Sequence, residues 1–282
     1  MMVSILIPTM NNLEYLKLCC RSVEENTKYD FEILIWDNGS TDETFEWCDG
    51  KYFCGRSSDN IGFSRPYNML ASAAKGETIF FADNDFYFLP GWDRVVEESQ
   101  RKNCWRMPLQ LSPAERSGRC VHAMFGKSIE KFREAELKEK YLSYTDSNIR
   151  NGTFFPAAMP RNDFFEIGGF NNDFFTSEVA FLWMAYEFYQ KRGQKQLTVP
   201  DSFVYHFRGM TPRTKGRREK TKKIHEYYDK LFGIAEEDRD RIMKHFEIVG
   251  PSHNENGGII DYDLGEGNQL GSEGECKHCC NP

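Results

Sequence analysis

Apolar positions in the first third of the chain fall into short blocks separated by segments of helical period. Residues 3–7 (Val-Ser-Ile-Leu-Ile), 31–36 and 78–82 (Thr-Ile-Phe-Phe-Ala) are near-continuous apolar runs, the pattern of strands covered on both faces. Residues 51–54 form a weaker run between them. Behind Asn11 and Asn12, either of which can cap a helix, Leu13, Leu16, Cys20 and Val23 recur as one apolar stripe. A short helix is expected to open at Thr41 or Asp42 with acid in its first turn. An Ala-rich helix opens at Ser64 and Pro66 and ends near Lys75-Gly76. Repeated strand–helix units at this spacing predict a parallel sheet with right-handed crossovers.

The second half is less regular. Strands are expected at 119–125, 153–159 and 202–207, with a charged helix from about 128 to 140. Ser177 caps a strongly aromatic segment that runs to Arg192 and stops at Gly193. Two polar helices are expected near 217–232 and 236–247. From Gly250 the composition turns to Gly, Asn, Glu and Ser, a loose tail. No internal repeat is visible.

Composition narrows the function classes. The 282 residues suffice for one large or two intimately packed α/β halves. A net charge of −7 argues against a general nucleic-acid binder, which needs a basic face to displace counterions. Nine irregularly spaced Cys give no disulfide framework, and the stretch at 179–186 is too short to span a bilayer. The expectation is a reduced, soluble, cytoplasmic protein without a transmembrane segment, with peripheral membrane contact left open. The 23 Phe, 13 Tyr and 5 Trp suit a core but also suit walls that stack on a base or sugar.

Candidate chemistry concentrates at the ends of the expected strands. Asp83-Asn84-Asp85 directly follows the 78–82 run. If strand geometry persists there, the two carboxylates point to one side, with Asn84 as a spacer. Open α/β sheets bind ligands at this edge, and hard cations take carboxylate oxygens together with phosphate. The other strand ends carry Pro8-Thr9, Asp37-Asn38-Gly39-Ser40 and Asn60-Ile61-Gly62. Asp37 can accept hydrogen bonds from a base or ribose while Pro8 and Thr9 wall the same base. The combined picture is a nucleotide lying across the sheet edge.

These residues resemble the nucleotide-sugar half of family 2 glycosyltransferases. The resemblance rests on residues 3–9, Trp36-Asp-Asn-Gly-Ser-Thr-Asp42, Asn60-Ile-Gly-Phe-Ser64, Asn68, Ala74-Lys-Gly76 and the triplet, then on Gly168-Gly-Phe170, Glu178 and Phe203-Val-Tyr-His206. It covers residues 3–232; each motif is loose, but their order is specific. It implies an α/β fold of GT-A type: a mostly parallel twisted sheet flanked by helices, with a helical C-terminal extension. Residues 1–100 would form the nucleotide-sugar half, 101–212 the acceptor half, 213–250 a basic loop and C-terminal helices, and 251–282 a flexible tail.

The resemblance also implies an activity: inverting transfer from a nucleotide-diphosphate sugar, UDP-linked first among the options, to a glycan or glycoconjugate hydroxyl. Mn²⁺ or Mg²⁺ would sit on Asp83, Asp85 and His206, with Asp83 shared with ribose. Pro8, Thr9, Asp37, Asn60, Gly62, Arg65, Asn68, Asp83 and Asn84 would surround the donor. Arg208, Arg213 and Lys215, from a basic stretch flanked by Gly209 and Gly216, would reach its phosphates. Glu178 would be the catalytic base. The chain departs from the family here, with Glu178-Val179 in place of Glu-Asp and Asn171-Asn172-Asp173 after Gly-Gly-Phe, so Asp173 is the fallback base.

Each residue has a plainer reading. Asp83 and Asp85 would sit in a solvated turn, Asp37 in an Asx-turn, His206 in the core, and Glu178 at a helix N-terminus favoured by the dipole. Trp92 is either a sugar-stacking platform or a helix-start anchor. The basic stretch is a solvated helix face, an anionic-membrane patch or a lid. Cys276, His278, Cys279 and Cys280 invite a zinc reading but lack a second ligand pair at the usual spacing. Two other functions compete. A sugar-phosphate nucleotidyltransferase would want a Gly-rich loop after strand one, where Pro8-Thr-Met-Asn-Asn12 has no Gly. A binding module that lost its base is supported by Val179.

Overall fold

The computed structural model describes residues 1–102, 104–113, 120–145, 155–172 and 197–207, with Met184 and the short paired strands Ser252–His253 and Ile259–Ile260. In chain order the main elements are β1 (Met2–Thr9), α1 (Leu13–Asn26), β2 (Asp30–Asn38), α2 (Thr44–Cys48), β3 (Phe53–Ser57), α3 (Ser64–Ala73), β4 (Thr78–Phe81) and β5 (Phe86–Phe88). They continue with α4 (Arg94–Lys102), β6 (Arg106–Ser112), β7 (Val121–His122), α5 (Glu134–Lys140), β8 (Ala157–Pro160), α6 (Arg161–Glu166) and β9 (Leu197–His206). One sheet takes strands from both halves of the chain in the order β3-β2-β1-β4-β8-β6-β9-β5, with β7 beside β6. β3, β2, β1 and β4 run parallel; β8 reverses the direction beside β4, and β5 is an antiparallel edge on β9.

The apolar runs read as buried strands because both sheet faces are covered. In β1, Leu6 packs to one side while Val3, Ile5 and Ile7 pack to the other. In β4, Ile79 and Phe81 face the first layer, and Phe80 the second. This is the period-two alternation of a strand with an apolar layer on each face. The first layer holds Tyr67 and Leu70 of α3 with Phe164 of α6; the second holds Leu16, Cys19 and Val23 of α1 with Val95 and Val96 of α4. Full burial of a Leu or Val of this kind contributes about 1.5–3 kcal/mol. A third cluster, built on Tyr87, Leu109, Phe203 and Tyr205, is closed by Leu137 and Tyr141.

The edge strand β5 is covered by a helix. Phe88 N donates to Ser22 Oγ at 2.9 Å and Phe88 O accepts from Asn26 Nδ2 at 2.9 Å, both from α1. Side chains thus satisfy backbone groups that an open edge would offer to another chain.

Several expectations need adjusting. The 119–125 strand is reduced to Val121–His122, the 153–159 strand shifts to Ala157–Pro160, and the last strand starts earlier, at Leu197. β5, β6, α4 and α6 were not expected. β6 carries Pro108, and the pairing register with β9 shifts between Pro108 and Leu109, the kind of irregularity a proline imposes in a sheet. The aromatic segment expected after Ser177, the helices near 217–232 and 236–247, and the Cys/His tail lie outside the described residues.

Candidate active site

The site lies where β1, β2, β3 and β4 end. The chain leaves β4 at Phe81 and turns through Asn84 and Asp85 into β5, so the triplet is a turn and not an extension of the strand. Its two acids converge because the chain reverses, not because side chains alternate. Phe207 N donates to Asp85 O at 3.2 Å, and Phe86 pairs directly with His206 across the β5–β9 ladder. These links set His206, distant in sequence, beside the triplet.

The resulting cluster is tight. Asp83, Asp85 and His206 each offer a ligand atom, and those atoms lie within 4.8 Å of one another. His206 Nε2 stands 3.1 Å from Asp85 Oδ1. Its ring meets Phe86 edge-on at 4.5 Å between centroids, and its Nδ1 lies 3.1 Å from Gln110 Nε2. Burial pushes the Asp83 carboxyl up to about 7, with the Asp85 charge adding to the rise and His206 opposing it. Two crowded carboxylates and an imidazole fit a divalent cation, because such an ion offsets both the burial and the repulsion that raise Asp83. The two carboxylates suit a hard divalent cation such as Mn²⁺ or Mg²⁺.

Asn84 does not act as a spacer, because its side chain makes hydrogen bonds of its own. It is 3 % exposed, and its Nδ2 donates to Thr9 Oγ1 at 2.7 Å and to Asn11 O at 3.4 Å. It braces the triplet against the end of β1. Asn11 and Asn12 both take positive φ, and Asn11 Oδ1 accepts from Thr41 N at 2.9 Å. The end of β1 is thereby tied to the end of β2.

Asp37, one residue before the end of β2, is fully buried. Its Oδ1 accepts from Ser40 N at 2.8 Å, closing the Asx-turn expected of Asp-Asn-Gly-Ser. Gly39 holds φ +84° in that turn, and a Cβ there would come within 2.9 Å of Asp59 backbone. Asp37 Oδ2 lies 3.1 Å from Arg56 Nε, but at an angle that makes no hydrogen bond. A buried carboxylate oxygen therefore has a charge beside it and no donor among the described residues. Arg56, unremarked in the sequence, also donates to Ser40 O at 3.2 Å and lies over the Phe45 ring.

Other candidates are latches. Asn38 Nδ2 donates to Asn60 Oδ1 at 3.1 Å and to Gly62 O at 2.9 Å, while Asn60 Oδ1 also accepts from Gly62 N at 2.9 Å. Asn60 and Gly62 therefore shape the loop after β3. Asn68 Nδ2 donates to Phe170 O at 2.7 Å, and Asn68 Oδ1 accepts from Phe170 N at 2.9 Å. Its side chain joins α3 to the Gly168-Gly169-Phe170 turn. That turn ends α6 as a Schellman motif: Gly169 N donates to Phe164 O at 2.8 Å and Gly168 N to Phe165 O at 3.0 Å.

Trp92 is corrected outright. It is fully buried, packs edge-on against Phe80 and Phe88, and donates from Nε1 to Thr27 Oγ1 at 3.1 Å. It anchors the start of α4 and is out of reach of any sugar. Pro8 is half-buried, Thr9 is buried and Arg65 is exposed. Glu178, Asp173, Arg208, Arg213 and Lys215 lie outside the described residues. Gln110, 4 % exposed, was missed. Its one signal in the sequence is a polar residue between Leu109 and Leu111 in an otherwise apolar strand.

Residues 4–104 match the family profile described as glycosyl transferase family 2. A stretch of 90 residues is 31 % identical to glycosyltransferase GlyG of Streptococcus pneumoniae serotype 4, covering 30 % of this chain and 30 % of that protein. A stretch of 94 residues is 35 % identical to chondroitin synthase of Pasteurella multocida, covering 32 % of this chain and 10 % of that one. The match thus spans a third or less of these relatives. Among solved structures, Staphylococcus aureus TarS 1-349 in complex with UDP superposes with TM-score 0.55 at 16 % identity, over 87 % of this chain and 70 % of that one. GalNAc-T7 with UDP, GalNAc and Mn²⁺ does so with TM-score 0.52 at 18 % identity, over 73 % and 43 %. At these identities the structural likeness concerns the fold, which is of GT-A type.

Proposed function

Because residues 4–104 match the glycosyl transferase family 2 profile, we propose that this chain is a transferase that moves a sugar from a UDP-linked donor to a glycan or glycoconjugate hydroxyl with inversion. The observation that carries this reading is the convergence of Asp83, Asp85 and His206 at the sheet edge. The two structural neighbours are described with UDP, and one of them with Mn²⁺, which supports the same choice of donor and cation.

In this reading Asp85 and His206 hold the cation and Asp83 shares it with the ribose. When bound, the ion supplies positive charge against the departing diphosphate. Asp37 receives the base: the N–H of a uracil is a donor suited to Oδ2, the buried oxygen without a hydrogen bond. Asn84 keeps the triplet in register with β1, so that nucleotide and cation are positioned by one rigid edge. Glu178, with Asp173 as fallback, takes the proton of the acceptor hydroxyl as its oxygen attacks the anomeric carbon. In-line displacement puts this base on the sugar face opposite the diphosphate. Arg208, Arg213 and Lys215 supply further charge to the leaving group.

The test is UDP-sugar turnover with Mn²⁺, measured as UDP release with and without glycan acceptors. Asp85→Ala is expected to lower kcat/KM by roughly 10²–10³-fold, the loss typical of removing transition-state charge stabilisation. Glu178→Gln is expected to abolish transfer while UDP binding persists. Wild-type activity in both variants would overturn the assignment. Mn²⁺-dependent UDP binding without turnover on any acceptor would point to a binding module instead.

A further inference from the structure

Asp37 and Arg56 stand directly opposite one another in the parallel β2–β3 pair. Side chains at matched positions of adjacent strands share a face, and here they are an acid and a base. Asp37 spends one oxygen on its own turn, where Oδ1 accepts from Ser40 N at 2.8 Å. Its other oxygen, Oδ2, is buried and accepts no hydrogen bond. Arg56 Nε stands 3.1 Å from Oδ2 without the alignment of a hydrogen bond. Three other contacts hold the guanidinium. Nη2 donates to Ser40 O at 3.2 Å, Cζ lies 4.7 Å from the centre of the Phe45 ring, and Nη1 is 3.9 Å from Glu46 Oε1. The Nε–H itself has no hydrogen-bond acceptor among the described residues.

The result is an acceptor and a donor side by side, neither used on the other. Leaving Oδ2 unmet at a buried position is costly, so the pair suits a ligand with the reverse pattern, a donor beside an acceptor. The imide edge of uracil has that pattern, because its N3–H lies between two carbonyl oxygens. Cytosine carries a bare lone pair at N3, which would meet the Asp37 carboxylate acceptor to acceptor. Such a repulsive contact discriminates between ligands as strongly as an attractive one. The two residues also differ in freedom. Asp37 is fully buried, whereas 40 % of the Arg56 side chain is exposed, so the arginine is the member able to adjust as a base arrives. Its charge balances the buried carboxylate in the meantime.

We propose that Arg56 is a base-recognition residue: with Asp37 it reads the imide edge of uracil, donating to a ring carbonyl while Asp37 Oδ2 accepts from N3–H, and the pair rejects cytosine. This deepens the reading of Asp37 as the base contact and rests on it. A hydrogen bond from a charged group is worth roughly 10–100-fold in affinity.

The experiment measures UDP and CDP affinities by calorimetry, with Mn²⁺ present, for the wild type, Arg56→Met, Arg56→Lys and Asp37→Ala, with thermal unfolding recorded for each. Methionine keeps an apolar stem against Phe45 and removes the donor. The wild type should favour UDP over CDP by roughly 10-fold or more. Arg56→Met should weaken UDP by roughly 10–100-fold and CDP by less than about threefold, so that the preference narrows. Arg56→Lys, which keeps a charged donor, should fall between. A UDP methylated at N3, which keeps both carbonyls but lacks the N–H, should bind the wild type as weakly as CDP. The proposal is overturned if Arg56→Met keeps the wild-type preference while Asp37→Ala loses it. It is also overturned if Arg56→Met weakens both nucleotides equally, which marks a packing role, or if the wild type does not prefer UDP to CDP. An Asp37→Ala variant that binds UDP as the wild type does rejects the base reading itself, and the proposal with it.

Discussion

At the scale of single residues, the site is a balance of unfavourable charges held in place by the fold. Asp83 is an acid whose folded-state pKa, pushed up to about 7, exceeds its ordinary 3.8. The folded protein therefore holds this proton more tightly than the unfolded chain does. The stability this gives is fully present below about pH 4 and is lost as pH rises through about 7. Metal-free protein should lose unfolding temperature between about pH 4 and pH 7, and Asp83→Asn should flatten that part of the profile. Cation binding needs the carboxylate, so Mn²⁺ affinity should weaken as pH falls below about 7, by at most roughly tenfold per unit for one displaced proton. Calorimetric titrations at several pH values check this, and an affinity unchanged between pH 8 and pH 6, roughly, would contradict it. Asn84 shows how a residue in the middle of a motif gains a role that the motif does not spell out. Its neighbours face the site, while its own amide turns inward to Thr9.

At the scale of elements, one side chain of α1 and one of α3 carry more than their own helices. Ser22 accepts from the backbone of edge strand β5, the strand that leads out of the triplet. Ser22→Ala leaves the buried Phe88 N–H without its acceptor and should cost about 1–3 kcal/mol. Urea unfolding measures this, and a change under about 0.5 kcal/mol would show that the edge has another acceptor. Asn68 couples α3 to the Schellman turn after α6, and Gly169 leaves it room: a Cβ there would sit 2.9 Å from Asn68 Oδ1. Asn68→Ala should leave nucleotide affinity within about threefold but release the turn that leads toward Asp173 and Glu178. Turnover should then fall more than binding, which separate measurements of UDP affinity and kcat distinguish. If UDP affinity fell and kcat held, Asn68 would contact the donor after all.

At the scale of the whole molecule, the sheet joins the two halves and a surface network fastens the helices around it. Arg21 of α1 grips Glu134 of α5 through both carboxylate oxygens, at 3.2 and 2.7 Å, while Tyr87 of β5 donates to the same carboxylate at 2.7 Å. The Arg21 guanidinium draws the Glu134 carboxyl down to about 2. A lowered acid contributes stability that is present above its ordinary value near 4.5 and is lost as pH falls through about 2. Glu134→Gln should therefore lower the unfolding temperature at neutral pH and remove part of the slope in acid. Thermal scans from about pH 7 to pH 2 would show this, and parallel curves for the two proteins would refute it. Asp83 and Glu134 thus work in opposite windows, one favouring acid and the other opposing it. Among the described residues no helix is long and apolar enough to cross a membrane.

The amino-acid order alone determined the first four strands, their helices and the acids at their ends. Strands covered on both faces must be continuously apolar, and the Asp37–Ser40 turn closes through hydrogen bonds a few residues long. β5 and β6 were hidden for the opposite reason. A three-residue strand carries no period, and β6 contains Arg106, Pro108 and Gln110, polar or ring-locked residues that break its apolar run. Tertiary structure alone decided that the triplet is a turn, that Trp92 is sealed in the core, that Arg56 stands beside Asp37, and that Gln110 stands behind His206. Each of these depends on contacts between residues about twenty to more than a hundred and twenty positions apart. A local pattern of hydrophobic and polar residues names the elements and their exposed ends, but only the packed sheet decides which of those ends meet.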